Sequence, residues 1–158
     1  MTYIEFNEIS ESVITQVKQK EKYVEICKNI WDYDNSKELV KSEIISILKE
    51  KELNFKISAT EKIIYKDFDF HGLCSRFMIS YRYGMIDSSY RFFGENIDRP
   101  ISFSFRQIVK TVIRDIDDYE CMNPIVKNVE EFKYVLDEIL KIHEDIVNIF
   151  KIELGIVH

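Results

Sequence analysis

The densest run of side chains that could do chemistry is Asp67-Phe68-Asp69-Phe70-His71. In an extended segment successive side chains alternate between faces, so Asp67, Asp69 and His71 would project together while Phe68 and Phe70 turn to the core. Two carboxylates and an imidazole form a donor set for a divalent cation. They define one reading of the chain: a small metal-dependent hydrolase or nucleotide-binding enzyme in which Arg76 or Arg82 grips an anionic substrate. The competing reading is a strand whose polar residues face water before a turn at Gly72. The second reading outweighs the first, because matches this short arise easily by chance. No metal or cofactor is expected.

Other catalytic inventories fail on residue counts. The four glycines, Gly72, Gly84, Gly94 and Gly155, are too sparse for a loop that cradles phosphate. No serine sits in a G-x-S-x-G elbow, and His143-Glu144 lacks the second histidine of an H-E-x-x-H site. His143 itself falls on an apolar helical stripe and reads as a hydrogen-bonded core or rim residue. Cys27, Cys74 and Cys121 are dispersed and odd in number, which argues against a disulfide framework or a zinc site. These absences weigh against an enzyme.

Charge is distributed less evenly than any motif. All six arginines lie between Arg76 and Arg114, a window with net charge +4, whereas residues 1–75 carry −3 and residues 115–158 carry −7. Arginine offers a planar fork to carboxylate or phosphate. Arg76, Arg82 and Arg91 are therefore a candidate anion-binding set, weighed against simple pairing with carboxylates of the acidic flanks. The cluster Asp115, Asp117, Asp118 and Glu120 surrounds Tyr119 at the expected C-terminal end of a helix, where the backbone dipole favours cations. Acids placed against that preference, around an aromatic anchor, make these five residues the candidate partner-binding surface. Asp32 and Asp34 look similar but immediately precede an expected helix N-terminus, where acids are favourable.

The elements that must position these groups follow from apolar periodicity. Ile9, Val13, Val17, Val24, Cys27 and Trp31 recur at helical spacing, with a polar gap near Gln19 to Lys22. A second helix starts near Asn35, with Asn35 and Glu38 as a capping box and Val40, Ile44, Ile47 and Leu48 as its stripe. The period then changes to two. Residues 75–83 and 86–93 predict a hairpin around a two-residue Gly84-Met85 turn, with Ile79 opposite Tyr90, Phe77 opposite Phe92 and Arg82 opposite Asp87. Shorter strands are expected at 54–58, 63–66 and 100–103. Ser104 with Gln107 opens the next helix, and Asn128 with Glu131 opens a long last one. Its seam is Val129, Phe132, Leu136, Ile139, His143, Ile146 and Phe150, and it ends before Gly155. Three heptads in a chain this size point to a core helix, though they leave a homodimer open.

The expectation is one α+β domain over residues 1–158: two N-terminal helices, a central antiparallel sheet and two C-terminal helices. No apolar run approaches the length needed to span a membrane. The acidic start MTYIEFNEISE lacks the features of a signal peptide, so a cytoplasmic location is expected. Abundant Ile and Lys with a single alanine, Ala59, suggest an A/T-rich bacterial or phage source. A net charge of −6 disfavours nucleic acid. The resulting functional expectation is a non-catalytic binding protein that meets a basic, toxin-like protein through acidic surface. Its most concrete form is an immunity protein that neutralises a toxin or nuclease.

Overall fold

The computed structural model describes residues 1–70, 72–95, 97–113 and 122–155, without the side chain of residue 70. It is an α+β fold. Three helices, α1 (Tyr3–Gln16), α2 (Lys20–Asn29) and α3 (Lys41–Glu50), precede the strands β1 (Lys56–Ser58), β2 (Ile63–Phe70), β3 (Leu73–Ser80), β4 (Asp87–Phe93) and β5 (Ile101–Ser104). Two helices, α4 (Arg106–Val112) and α5 (Val129–Glu153), follow. The strands pair in sequence order as one antiparallel meander.

The N-terminal stripe is divided at its polar gap, so three helices stand where two were expected. Val13, Val17, Val24 and Cys27 are buried as the spacing predicts, but Trp31 lies beyond the end of α2 and is exposed. The helix expected from Asn35 begins at Lys41 instead. Asn35 spends its backbone N–H and its side-chain amide on the Asp32 carboxylate, and the Glu43 carboxylate accepts the Val40 N–H at 3.0 Å. A carboxylate three residues into the helix thus caps a different residue from the one the pattern suggested. The cap of α5 holds, with Asn128 accepting the Glu131 N–H, but α4 starts one residue later than expected: its N-cap is Phe105, and Gln107 accepts the Ser104 N–H while the Ser104 hydroxyl takes the Arg106 N–H.

β3 alternates buried and half-buried residues along its length, the pattern of a sheet covered on one face. The covered face packs against α1, α2 and α5. Phe6 of α1 meets Phe92 at 4.6 Å between ring centroids, and Phe150 of α5 meets Phe92 at 5.3 Å. Phe132, Leu136, Ile139 and Ile146 of the expected seam are all buried. Lys51–Asp137 and Lys133–Glu50 ion pairs fasten α3 along α5.

The β3–β4 register differs from expectation by two residues. Phe77 lies opposite Tyr90, and Asp87 lies opposite Ser80 rather than Arg82. Residues 81–86 form a longer connection containing a short 3-10 turn at Arg82–Gly84. Its backbone groups bond elsewhere: Ile86 N–H to the Pro124 carbonyl, and the Gly84 carbonyl to Val126 N–H. Those bonds replace the two ladder steps that a tight turn would have made. A shift of two leaves each side chain on its expected face, because the strand repeat is also two.

Candidate functional site

Asp67 and Asp69 do project from the same side of β2, the side away from the helices. Both Asp67 oxygens are occupied by Arg76, which lies directly opposite on β3; Nε donates at 2.7 Å and Nη2 at 3.0 Å. The guanidinium holds the Asp67 carboxyl below its ordinary range, and it also stacks over the Tyr65 ring at 4.4 Å. Asp69 accepts the Gly72 N–H at 3.0 Å, closing the β2–β3 turn. His71 lies outside the described residues. Among the described residues no three His, Cys, Asp or Glu side chains gather as a metal set.

His143 faces the sheet from α5. Its ring stacks on Phe77 at 4.1 Å and nearly parallel, and Nδ1 shares a 2.6 Å hydrogen bond with the Tyr90 hydroxyl. Burial, aided by Lys66, lowers its pKa to about 4. The half-buried imidazole is therefore neutral at pH 7. The acidic cluster Asp115, Asp117, Asp118 and Glu120, together with Tyr119, lies outside the described residues. α4 ends at Val112 with Ile113 already extended.

The exposed surface with the most distinctive composition was not singled out from sequence. Three segments, 30–37, 81–86 and 122–126, are laced together by backbone bonds. Ile125 N–H donates to the Ile30 carbonyl at 2.7 Å, and Lys37 N–H to the Val126 carbonyl at 2.9 Å. Gly84 sits where they converge, at φ +77°. A Cβ there would lie 2.8 Å from the Val126 carbonyl oxygen and 2.9 Å from that of Lys37, so glycine is required by both conformation and space. Its neighbour Tyr83 also adopts the left-handed region, at φ 59°, with its N–H held by the Glu38 carboxylate at 2.9 Å.

This bound backbone presents large apolar side chains to solvent. Tyr83 is 75% exposed and Tyr33 67%, with Trp31 and Met85 also exposed. The Trp31 and Tyr33 rings lie 6.5 Å apart. Tyr33, Tyr83, Met85 and Ile125 line a cavity of about 470 Å³ that also receives Asp87 and, at its border with the arginine groove of the sheet, Arg82. Burial raises the Asp87 carboxyl above its ordinary range, against a smaller opposing pull from Arg106. Asp32 and Asp34 flank Tyr33 in the chain.

No family model, curated protein or solved structure matches the chain.

The signal for this surface was present in the alternation Trp31-Asp32-Tyr33-Asp34, around the chain's one tryptophan. Reading Trp31 as helical stripe and the aspartates as charges at a helix start concealed it. With α3 starting at Lys41, Asp32 and Asp34 are loop residues. Of the arginines, Arg76, Arg82 and Arg91 do share the uncovered face of the sheet, where they line one shallow groove. Arg76 is paired within the sheet, as the competing reading expected, but by a strand carboxylate rather than one on a helix.

Proposed function

We propose that this chain is a non-catalytic binding protein that engages a basic protein partner through acidic surface. Its most concrete form is an immunity protein neutralising a bacterial toxin or nuclease in the cytoplasm. The observation that carries this reading is the exposure of Trp31, Tyr33, Tyr83 and Met85 beside Asp32 and Asp34 on backbone fixed by three chain segments. Trp, Tyr and Met are the types enriched at the centres of protein interfaces. A surface already ordered before contact loses less entropy on binding. Tyr83 holds a left-handed conformation that costs a non-glycine residue roughly 1–2 kcal/mol, and the strained residue is the most exposed aromatic of the group.

Acidic groups around such anchors favour a basic partner and speed encounter more than they slow release. The net charge of −6 acts in the same direction. Asp115, Asp117, Asp118, Tyr119 and Glu120 immediately precede in sequence the 122–126 segment that supports this surface, and we include them as a second contributor.

The test is a tagged pull-down from the native lysate, run in parallel with the parent and a Tyr33→Ala/Tyr83→Ala variant. A basic protein retained at stoichiometric yield by the parent and lost by the variant is the expected result. Retention by both would remove the aromatic surface from the reading. With the partner in hand, Asp117→Asn/Asp118→Asn should slow association mainly at low salt. An unchanged rate there would dismiss the acidic cluster.

A further inference from the structure

The uncovered face of the sheet carries a second surface that does not depend on the partner reading. Arg76 of β3 and Arg91 of β4 are direct cross-strand neighbours. Like charges so placed repel. One carboxylate answers them: Asp67, on the far side of Arg76, engages that guanidinium through both oxygens. Among the described residues Arg91 has no ion-pair or hydrogen-bond partner, and Arg82 donates only to the backbone carbonyl of Glu61, at 3.4 Å. All three arginines line a groove of about 650 Å³ whose apolar lining is Ile63, Met78 and Phe93. Glu61 is the carboxylate that also lines it, so with Asp67 counted the groove keeps a surplus of positive charge.

We propose that this groove binds a small organic oxyanion, with a carboxylate or phosphate head group held by Arg82 and Arg91. The apolar body of the ligand would lie against Ile63, Met78 and Phe93. Guanidinium forks suit both head groups, because each presents oxygens spaced for paired N–H donors. A bound anion would also relieve the Arg76–Arg91 repulsion that Asp67 answers from one side only. Arg76 is a positioning residue here, since its fork is already spent on Asp67. The groove's volume lies within the ordinary range for small-molecule sites. A nucleic-acid strand fits less well, because it needs a longer run of cation than three arginines on a chain of net charge −6.

The experiment is an amide and arginine-Nε NMR titration of the whole 158-residue protein at low salt. Phenyl phosphate and benzoate are the charged probes, with benzyl alcohol and inorganic phosphate as the two half-ligands. Saturable shifts on β3 and β4 are expected with at least one charged aromatic probe, which should bind about tenfold more tightly than either half-ligand. Arg82→Gln/Arg91→Gln should abolish that preference while its spectrum elsewhere stays that of the folded parent. Should the double variant disturb the fold, Arg91→Lys serves in its place, since it keeps the charge and removes the fork; weaker binding is again expected. Benzyl alcohol binding as well as the charged probes would overturn the proposal, as would undiminished binding by the variants. Inorganic phosphate matching phenyl phosphate would refute the apolar half of the site. A short single-stranded DNA displacing the probe at lower concentration would show that the surface serves nucleic acid instead.

Discussion

Acidification should destabilise this protein through His143. The imidazole is stacked on Phe77 and bound to Tyr90, and burial lowers its pKa from 6.5 to about 4. The folded protein therefore resists a proton that the unfolded chain accepts. The stabilisation is complete above the unfolded value near 6.5 and is lost as pH falls from there toward the folded value. Linkage over that interval gives a loss of about 2 kcal/mol by pH 5, approaching about 3 kcal/mol at pH 4. The assay is urea unfolding between pH 7.5 and 5, for the parent and for His143→Gln. The glutamine should be less stable at neutral pH, because it loses the ring stack, yet its stability should fall less steeply with acid. Subtracting the two profiles cancels the carboxylate background. Parallel profiles would refute the argument, as would an NMR titration of the imidazole with a midpoint near 6.5.

Gly84→Ala should lose at least about 2 kcal/mol in the same unfolding assay, since it combines a left-handed φ with carbonyl oxygens under 3 Å from the new methyl. Loss under about 0.5 kcal/mol would mean the three-segment junction yields readily. Tyr83→Gly should raise stability by up to about 1 kcal/mol by relieving the left-handed strain. It should also weaken capture of the partner in the pull-down, and a stabilised variant with full binding would separate the strain from function. Leu136→Ala, in the buried seam of α5, should cost about 2–5 kcal/mol by thermal or chemical unfolding. Asp67→Asn should change stability by no more than about 1 kcal/mol, because both partners of the Arg76 pair are more than a third exposed.

What could be read from the chain was whatever depends on neighbours in sequence. The three-and-four spacing of Phe132, Leu136, Ile139 and Ile146 required a helix with one buried face, and α5 has it. Alternation along 73–80 and 87–93 assigned the faces of β3 and β4 correctly even though the register moved, since a shift of two residues is invisible to a period of two. The placing of Arg76 and Arg91 on one face followed from the same alternation, whereas Arg82 reaches their groove from the turn beyond β3. Asn128 capped its helix because a cap is settled within one turn.

The turn between β3 and β4 could not be read in this way. Gly84 carries the positive φ that a tight turn would use, but its carbonyl is bonded to Val126, more than forty residues away in sequence, and Ile86 to Pro124. The start of α3 was lost similarly: Glu38, the expected partner of Asn35, accepts the Tyr83 N–H instead, Asn35 bonds to Asp32, and Glu43 caps Val40. Asp67 looked like a ligand until the sheet register set Arg76 opposite it. Sequence by itself determined the class of the long periodic elements and which of their residues face the core, because burial of apolar surface is written into spacing; it failed at their ends, where Trp31, Val40 and Tyr83 are exposed. Only the tertiary structure decided which polar groups are consumed by internal partners and which reach solvent. Beyond one turn of chain, hydrogen bonds and ion pairs are satisfied by whatever lies within reach in space, and apolar spacing carries no information about that.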